Sequence, residues 1–304
     1  MTTNKGNATT RVVIVRTKNR KEGVLKALSL LGLNPVRGKA VMLKPNFNTA
    51  DPFPASTHND TLSTLITALK DMGAGKITIA ERSGPAITRD VMGEKDIFRM
   101  SEQLGFDIIN LDELKSDGWV HLVPEGSHWR DGFLFARPYR EAESIVSTCC
   151  LKTHMYGGHF TMSFKNSVGM VSRSNMGELH SSPYQRQMIA EINTSYKPDL
   201  ILVDGLTAFV DGGPMAGTVR EAGVILAGND RVAIDATGVA ILRMLRTTKE
   251  VSRGPVFEQD QLKRSVELGL GVTSPERIQY VTGDPESEAF AADVVNVMLA
   301  GVTK

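Results

Sequence analysis

Short apolar runs alternate with amphipathic stretches along almost the whole chain. RVVIVRT (11–17), Val41 to Leu43, KITIAERSG (76–84), DIINLD (107–112), Ser144 to Leu151, DLILVDGL (199–206), GVILAGND (223–230) and RIQYVTG (277–283) have the length and β-branched character of buried strands. Between them the period lengthens. Residues 20–32 place Val24, Leu25, Leu28 and Leu31 on one helical face. A second helix carries Leu62, Leu65, Ile66 and Leu69 to a stop at Gly73, with Thr57 or Asn59 as its cap. Further helices are predicted near 89–104, over 183–197 behind Ser182-Pro183, and over RVAIDATGVAILRML, 258–269 and 286–300. WVHLV (119–123) and FLFAR (133–137) flank the turn-rich GSHWRDG and predict a hairpin. DPFPAST (51–57) and VDGGPMAGT (210–218) read as loops.

Strands alternating with helices at this spacing predict an α/β fold, a mostly parallel helix-covered sheet with a small β insertion at about 115–140. Residues 1–304 read as a single α/β domain, and a break into two lobes would fall near 198.

Charge and cysteine usage narrow the setting. Lys plus Arg (35) nearly cancels Asp plus Glu (34), so no broad cationic field is available for nucleic acid or a membrane surface. No apolar run approaches the roughly 20 residues needed to span a bilayer. The polar opening MTTNKGNATT lacks the apolar core of a signal peptide. The only cysteines, Cys149 and Cys150, are adjacent, cannot staple distant parts of the fold and form no CxxC pair. They read as small hydrophobes within a strand, in a reduced, cytoplasmic protein.

Polar residues gather where the predicted strands stop: Lys44 and Asn46; Glu81 and Ser83; Lys152 and His154; Asp204; Asn229 and Asp230. Ligands of open α/β sheets bind outside the carboxyl ends of the strands, so Lys44, Glu81, Lys152, His154 and Asp204 are expected to converge. Asp230 reads equally as a helix cap. The stretch 144–180 is densest in such groups and holds three of the six histidines. It continues from His154 through a Gly157-Gly158 turn to His159, Thr161, Lys165, Asn166 and His180.

Two lysines beside a carboxylate and an imidazole suit a small anion. His154, Lys165 and Lys152 are therefore the candidate catalytic groups, with His154 as acid/base because an imidazole titrates near neutrality. Lys44, Asn46, Glu81, Ser83, Thr161, Asn166, Asp204 and Gly213 are candidate substrate contacts. Gly213 belongs to DGGPMAG, whose backbone N–H groups could face an anion, although the loop matches neither GxGxxG nor Walker A. His159 and His180 are candidate ligands of a divalent metal together with His154; their spacing matches no zinc signature.

Several blocks resemble the domain-of-unknown-function 362 family. They are KPN (44–46), CLKTH (150–154), T-x-x-x-KN-x-x-G (161–169), LILVDG (200–205), GGP-x-x-G (212–217) and AGND-x-x-A-x-D (227–235). The resemblance covers about 40 to 240 and implies an α/β fold but little about function. Many members of that family add a ferredoxin-like cysteine segment, which this chain lacks, so no intrinsic iron–sulfur cluster is expected. A more distant likeness is to the nickel-pincer lactate racemases, and would match His154, Lys165 and His180 to that family's histidine, pincer-bearing lysine and nickel-binding histidine. Thr153, Ser163-Phe164 and Leu179 depart from that pattern.

Two functions follow as expectations. One is an isomerase-like or oxidoreductase-like enzyme moving a proton or hydride on an anionic organic acid. The other is a non-catalytic binder or carrier of a small molecule or metal cofactor in the same cleft. A small anionic substrate is the expected partner, with no nucleic acid and no membrane.

Overall fold

The structure is a computed structural model and describes residues 9–300. The polar amino terminus, up to its last two residues Thr9 and Thr10, lies outside the described residues. The strands, in chain order, are β1 (Thr10–Arg16), β2 (Val41–Lys44), β3 (Ile77–Glu81), β4 (Asp107–Asn110), β5 (Trp119–Leu122) and β6 (Phe133–Ala136). They continue with β7 (Ser144–His154), β8 (His159–Thr161), β9 (Leu200–Gly212), β10 (Gly217–Gly228) and β11 (Ile278–Val281). Nine of them form one sheet in the order β11-β1-β10-β9-β7-β2-β3-β4, with β8 added beside β7. β5 and β6 make the separate antiparallel pair expected of the insertion.

The sheet is mixed but mostly parallel. β2 runs parallel to β7 and β3, β3 to β4, β7 to β9, and β1 to β11. Only β10 and β8 run against their neighbours. Because β7 pairs directly with β9, the sheet is continuous across residue 198.

Period-two alternation divides the core between the two faces of the sheet. Val12 and Ile14 pack with β7, β9 and the helix Arg231–Met244, whereas Val13 and Val15 pack with the helices Arg20–Leu31 and Asn59–Asp71. Both faces are covered, so β7 is buried along its whole length. Cys149 and Cys150 are free and buried, and burial pushes the Cys150 thiol up to about 11. They are packing groups.

Four local expectations differ from what is seen. β9 and β10 extend into a long antiparallel hairpin where a loop was expected at 210–218. The helix expected near 89–104 divides into Thr88–Glu94 and Ile97–Leu104 at Asp96, which has a φ of 60°. The helix expected over 183–197 is the shorter Gln185–Ile192. The cap of helix Asn59–Asp71 is His58, whose ring accepts from the Asp60 N–H, while the Thr57 hydroxyl accepts from the Asn46 N–H instead.

Strand direction decides which polar ends can meet. β1, β2, β3, β4, β7, β9 and β11 deliver their carboxyl ends to one edge of the sheet. β10 runs the other way, so Asn229 and Asp230 sit at the opposite edge. Asp230 there caps helix Arg231–Met244 by accepting from the Ala233 N–H, and its other oxygen accepts from the Val272 N–H.

Candidate functional site

At the common edge, β2, β3 and β7 end around a small polar cavity of about 50 Å³. A water needs only ~10–15 Å³ of such space, so the cavity holds a few water-sized groups. Lys44, Asn46, Glu81, Lys152, His154, Thr161, Lys165 and Asn166 all line it. Five of these, Lys44, Asn46, Glu81, Lys152 and His154, are groups expected at strand ends, and Thr161, Lys165 and Asn166 come from the 144–180 stretch.

Each is positioned by a specific local device. Pro45 follows Lys44 and holds that residue extended at the end of β2. Lys44 Nζ then donates to Glu81 Oε1 at 2.6 Å, to the Pro45 carbonyl at 2.8 Å and to Asn166 Oδ1 at 3.3 Å. Glu81 also accepts from the backbone N–H groups of Phe47 and Arg82. Burial lowers Lys44 and raises Glu81, and each partner opposes the shift in the other. With an ammonium and two backbone donors on one carboxylate, the pair is an ionised one.

β8 folds back on β7 with Thr161 opposite Lys152 and His159 opposite His154. Directly opposed residues share a face, so Thr161 and Lys152 look into the cavity together. Lys152 Nζ donates to Asn46 Oδ1 at 2.7 Å and to the Ala55 carbonyl, and it has no carboxylate partner among the described residues. Three N–H donors and two acceptors leave one donor over.

Lys165 is held differently. It lies on the one-turn helix Ser163–Asn166, whose first two N–H groups, of Ser163 and Phe164, donate to the Asp235 carboxylate at 2.8 and 3.1 Å. Asn193 Nδ2 donates to the Phe164 carbonyl and to the Ser167 hydroxyl on the same segment. Asn166 Nδ2, meanwhile, donates to Ser147 Oγ and the Lys44 carbonyl. The backbone of Lys165 is therefore clamped from both sides. Its amine has no hydrogen bond or ion pair among the described residues, and burial, then Lys152 and Arg82, push it down to about 7.

His154 departs from its expected role. Burial first, then the charges of Lys165 and Lys152, drive its pKa far below the ordinary histidine range. The ring stays neutral, so it is a hydrogen-bonding group and a poor proton store near pH 7. Its Nδ1 is buried without a partner. A Cβ on Gly158 would come within 2.9 Å of that nitrogen and 3.0 Å of Lys165 Cε, so the imidazole and the lysine chain flank one spot.

Other expected residues stand apart from the cavity. Asp204 is buried within β9 and does not line the cavity; its carboxylate accepts from Arg20 Nε at 2.7 Å and from the Thr61 hydroxyl. Ser83 does not line the cavity; its N–H is bound by Thr88 Oγ1, while Arg82 and Gly84 on either side do line it. Gly213 has a φ of 69°, and a Cβ there would lie 2.1 Å from the Thr153 carbonyl oxygen. Only glycine fits. The Gly213 N–H donates to the Ala216 carbonyl and the Gly212 N–H to Asp211, so these two expected anion donors are spent within the turn. The hairpin contributes Pro214 to the cavity wall instead.

His159 faces an outer recess of about 300 Å³ with Asp211 and Glu250. His180 lies at the surface, its Nδ1 bonded to the Met176 carbonyl at 2.8 Å. Among the described residues no three His, Cys, Asp or Glu side chains come together to hold a metal ion. The three expected histidines are thus not assembled as ligands.

Arg82 was not among the expected site residues. Its guanidinium donates to the Val171, Ser83 and Val168 carbonyls, has no carboxylate partner among the described residues, and is lowered to about 10 by burial and then by Arg173. The sequence signal was present in KITIAERSG, where an arginine follows the strand-ending glutamate. Asp235 and Asn193 were likewise missed as positioning groups, although Asp235 ends the AGND-x-x-A-x-D block.

Residues 41–240 match the domain of unknown function DUF362. The chain belongs to that family. All the cavity-lining groups described above fall inside the matched span. The thylakoid-associated protein sll1697 of Synechocystis sp. is 23% identical over 247 residues, which cover 77% of this DUF362 chain and 74% of that protein. The lactate racemase apoprotein structure from Thermoanaerobacterium thermosaccharolyticum is 18% identical with a TM-score of 0.42, over 69% of this chain. The DUF362 chain spans about half (52%) of that racemase chain.

Of the three residues that the nickel-pincer resemblance would match, His154 and Lys165 line the cavity, whereas His180 lies at the surface with its Nδ1 bonded to the Met176 carbonyl. No helix among the described residues is long and apolar enough to cross a membrane.

Proposed function

We propose that this DUF362 protein is an enzyme of acid/base type acting on a small organic anion held at the carboxyl ends of β2, β3 and β7. The observation that carries the reading is an imbalance of charge in a small polar cavity. Lys152, Lys165 and Arg82 reach it without a carboxylate partner among the described residues, and the one acid there, Glu81, is already matched by Lys44. Lys152 and Arg82 are buried and Lys165 is half-buried; cations so withdrawn from water without a counter-charge are costly, and an incoming carboxylate would relieve that cost.

Lys165 is the reactive group in this reading. With its pKa at about 7, both forms of the amine are populated at neutral pH, as proton exchange with a bound acid requires. His154 serves as a neutral hydrogen-bonding partner and Asn166 ties the Lys44–Glu81 pair to the segment bearing Lys165.

Proton exchange on short acids tests the proposal. Wild-type protein in deuterium oxide with a panel of short 2-hydroxy and 2-oxo acids should exchange the C–H proton beside the carboxyl or carbonyl group of at least one of them, read by proton NMR. Lys165→Met should reduce the rate by ~10²-fold or more. A panel in which no acid exchanges, or in which Lys165→Met exchanges as fast as wild type, would overturn it.

A further inference from the structure

We propose that the cleft captures a small carbonyl acid covalently, as an imine between Lys165 Nζ and the carbonyl carbon. This rests on the reading of the cleft as an organic-anion site, and adds to it the carbonyl group and the covalent bond.

Three unpartnered groups point to such a molecule. Lys165 Nζ has no partner among the described residues, although its backbone is fixed by Asp235 and Asn193. Thr161 and His154 line the same cavity, and their Oγ1 and Nδ1 atoms are buried without a hydrogen-bond partner. Leaving a buried polar atom unsatisfied costs about 1–3 kcal/mol, so these two buried atoms, beside the accessible amine of Lys165, call for a ligand with several polar atoms. The remaining donor of Lys152 and the guanidinium of Arg82 supply charge for a carboxylate.

The state of the lysine selects among anions. A site that only held a carboxylate would gain by keeping all its cations charged. Here burial and two neighbouring cations favour the free amine of Lys165, which weakens it as a counter-charge and activates it as a nucleophile. A free amine confined with an anion adds to a carbonyl when the anion carries one.

The step balances without an oxidant or reductant. The amine lone pair forms the C–N bond while the carbonyl π pair moves to oxygen, which takes up one proton. That oxygen then leaves with a second proton as water, and C=N forms as the nitrogen gives up its two hydrogens. Thr161 Oγ1 and His154 Nδ1 are the groups available to hydrogen-bond the departing oxygen. The cavity is small, about 50 Å³, which favours a short 2-oxo acid such as glyoxylate or pyruvate.

Reductive trapping decides the matter. Full-length protein is incubated with glyoxylate or pyruvate and sodium cyanoborohydride, then measured by intact mass and peptide mapping. One adduct on Lys165 is expected, forming roughly a hundredfold or more faster than on any surface lysine, because far more of that amine is unprotonated at pH 7. Excess acetate, an anion without a carbonyl, should slow it, and Lys165→Met should abolish it. Mapping the wild-type adduct locates the bond even if that variant does not fold.

Adducts spread evenly over surface lysines, or labelling of Lys165 indifferent to acetate, would overturn the proposal. Deuterium exchange without trapping would sink the imine and leave the proton-transfer reading standing. Trapping without exchange would do the reverse.

Discussion

Lys165 shows how a single side chain can carry both a functional and a thermodynamic signature. Its amine is lowered to about 7 in the folded chain by burial and by Lys152 and Arg82. In the unfolded chain a lysine titrates near ~10.4. Between those values the unfolded state binds more protons, so the contribution of this group to stability rises with pH from about 7 to about 10. Below the folded value both states are protonated and the full burial cost applies. Lys165→Met carries no such charge. It should be more stable than wild type by a few kcal/mol near pH 6, with the gap closing by about pH 10. Urea unfolding across that range measures it, and a gap independent of pH would show that the amine is not depressed. His154 offers the contrast. A histidine two residues from a lysine in the sequence suggested an acid/base group, yet burial beside two cations leaves it neutral. Spacing reveals neighbours, but it does not reveal desolvation.

At the scale of elements, Ser163–Asn166 is too short to be stable by itself, since one helical turn does not repay its nucleation cost. It is held by Asp235, which takes the Ser163 and Phe164 N–H groups, and by Asn193, which donates to the Phe164 carbonyl. Asp235→Ala would leave two buried N–H groups without acceptors and should cost roughly 2–4 kcal/mol. Hydrogen exchange should quicken at Ser163 and Phe164 before the strands of the sheet are affected. Unchanged protection at those two amides would remove Asp235 from the clamp. Much of the element layout was legible in the sequence: the alternation of apolar runs gave the strands and the parallel core, and turn residues gave the β5–β6 pair. The β9–β10 hairpin was not. Asp204-Gly205 and DGGPMAG look like punctuation, but Asp204 is an internal strand residue satisfied by Arg20 and Thr61, and Gly213 is tucked against the backbone of Thr153. Both explanations lie across the sheet, beyond the reach of local pattern.

For the whole molecule, the decisive fact is that net charge conceals local charge. A formal balance of +1 removes any broad field, yet among the described residues Lys44, Lys152, Lys165 and Arg82 line one cavity with a single carboxylate, Glu81. Parallel strands sort polar ends by direction, which is why Lys44, Glu81, Lys152 and His154 meet while Asp230, just after the antiparallel β10, does not. An anion that enters this cavity binds only the folded state and must stabilise it by mass action, about 2.7 kcal/mol at a hundred times its dissociation constant. For a chain of this length that corresponds to a rise of roughly 4 °C in the thermal midpoint. The cavity is also small, about 50 Å³, so a short carboxylate is the better fit and a benzoate ring the poorer one. Glyoxylate and acetate should therefore raise the midpoint in wild-type protein at constant ionic strength, and benzoate should raise it less. The effect should fall sharply in Lys152→Met, which removes a cation whose remaining donor is free for the anion. Equal shifts from all three anions, or an undiminished shift in that variant, would mean that the anions act on the surface and that the strand-end cations have no ligand of their own.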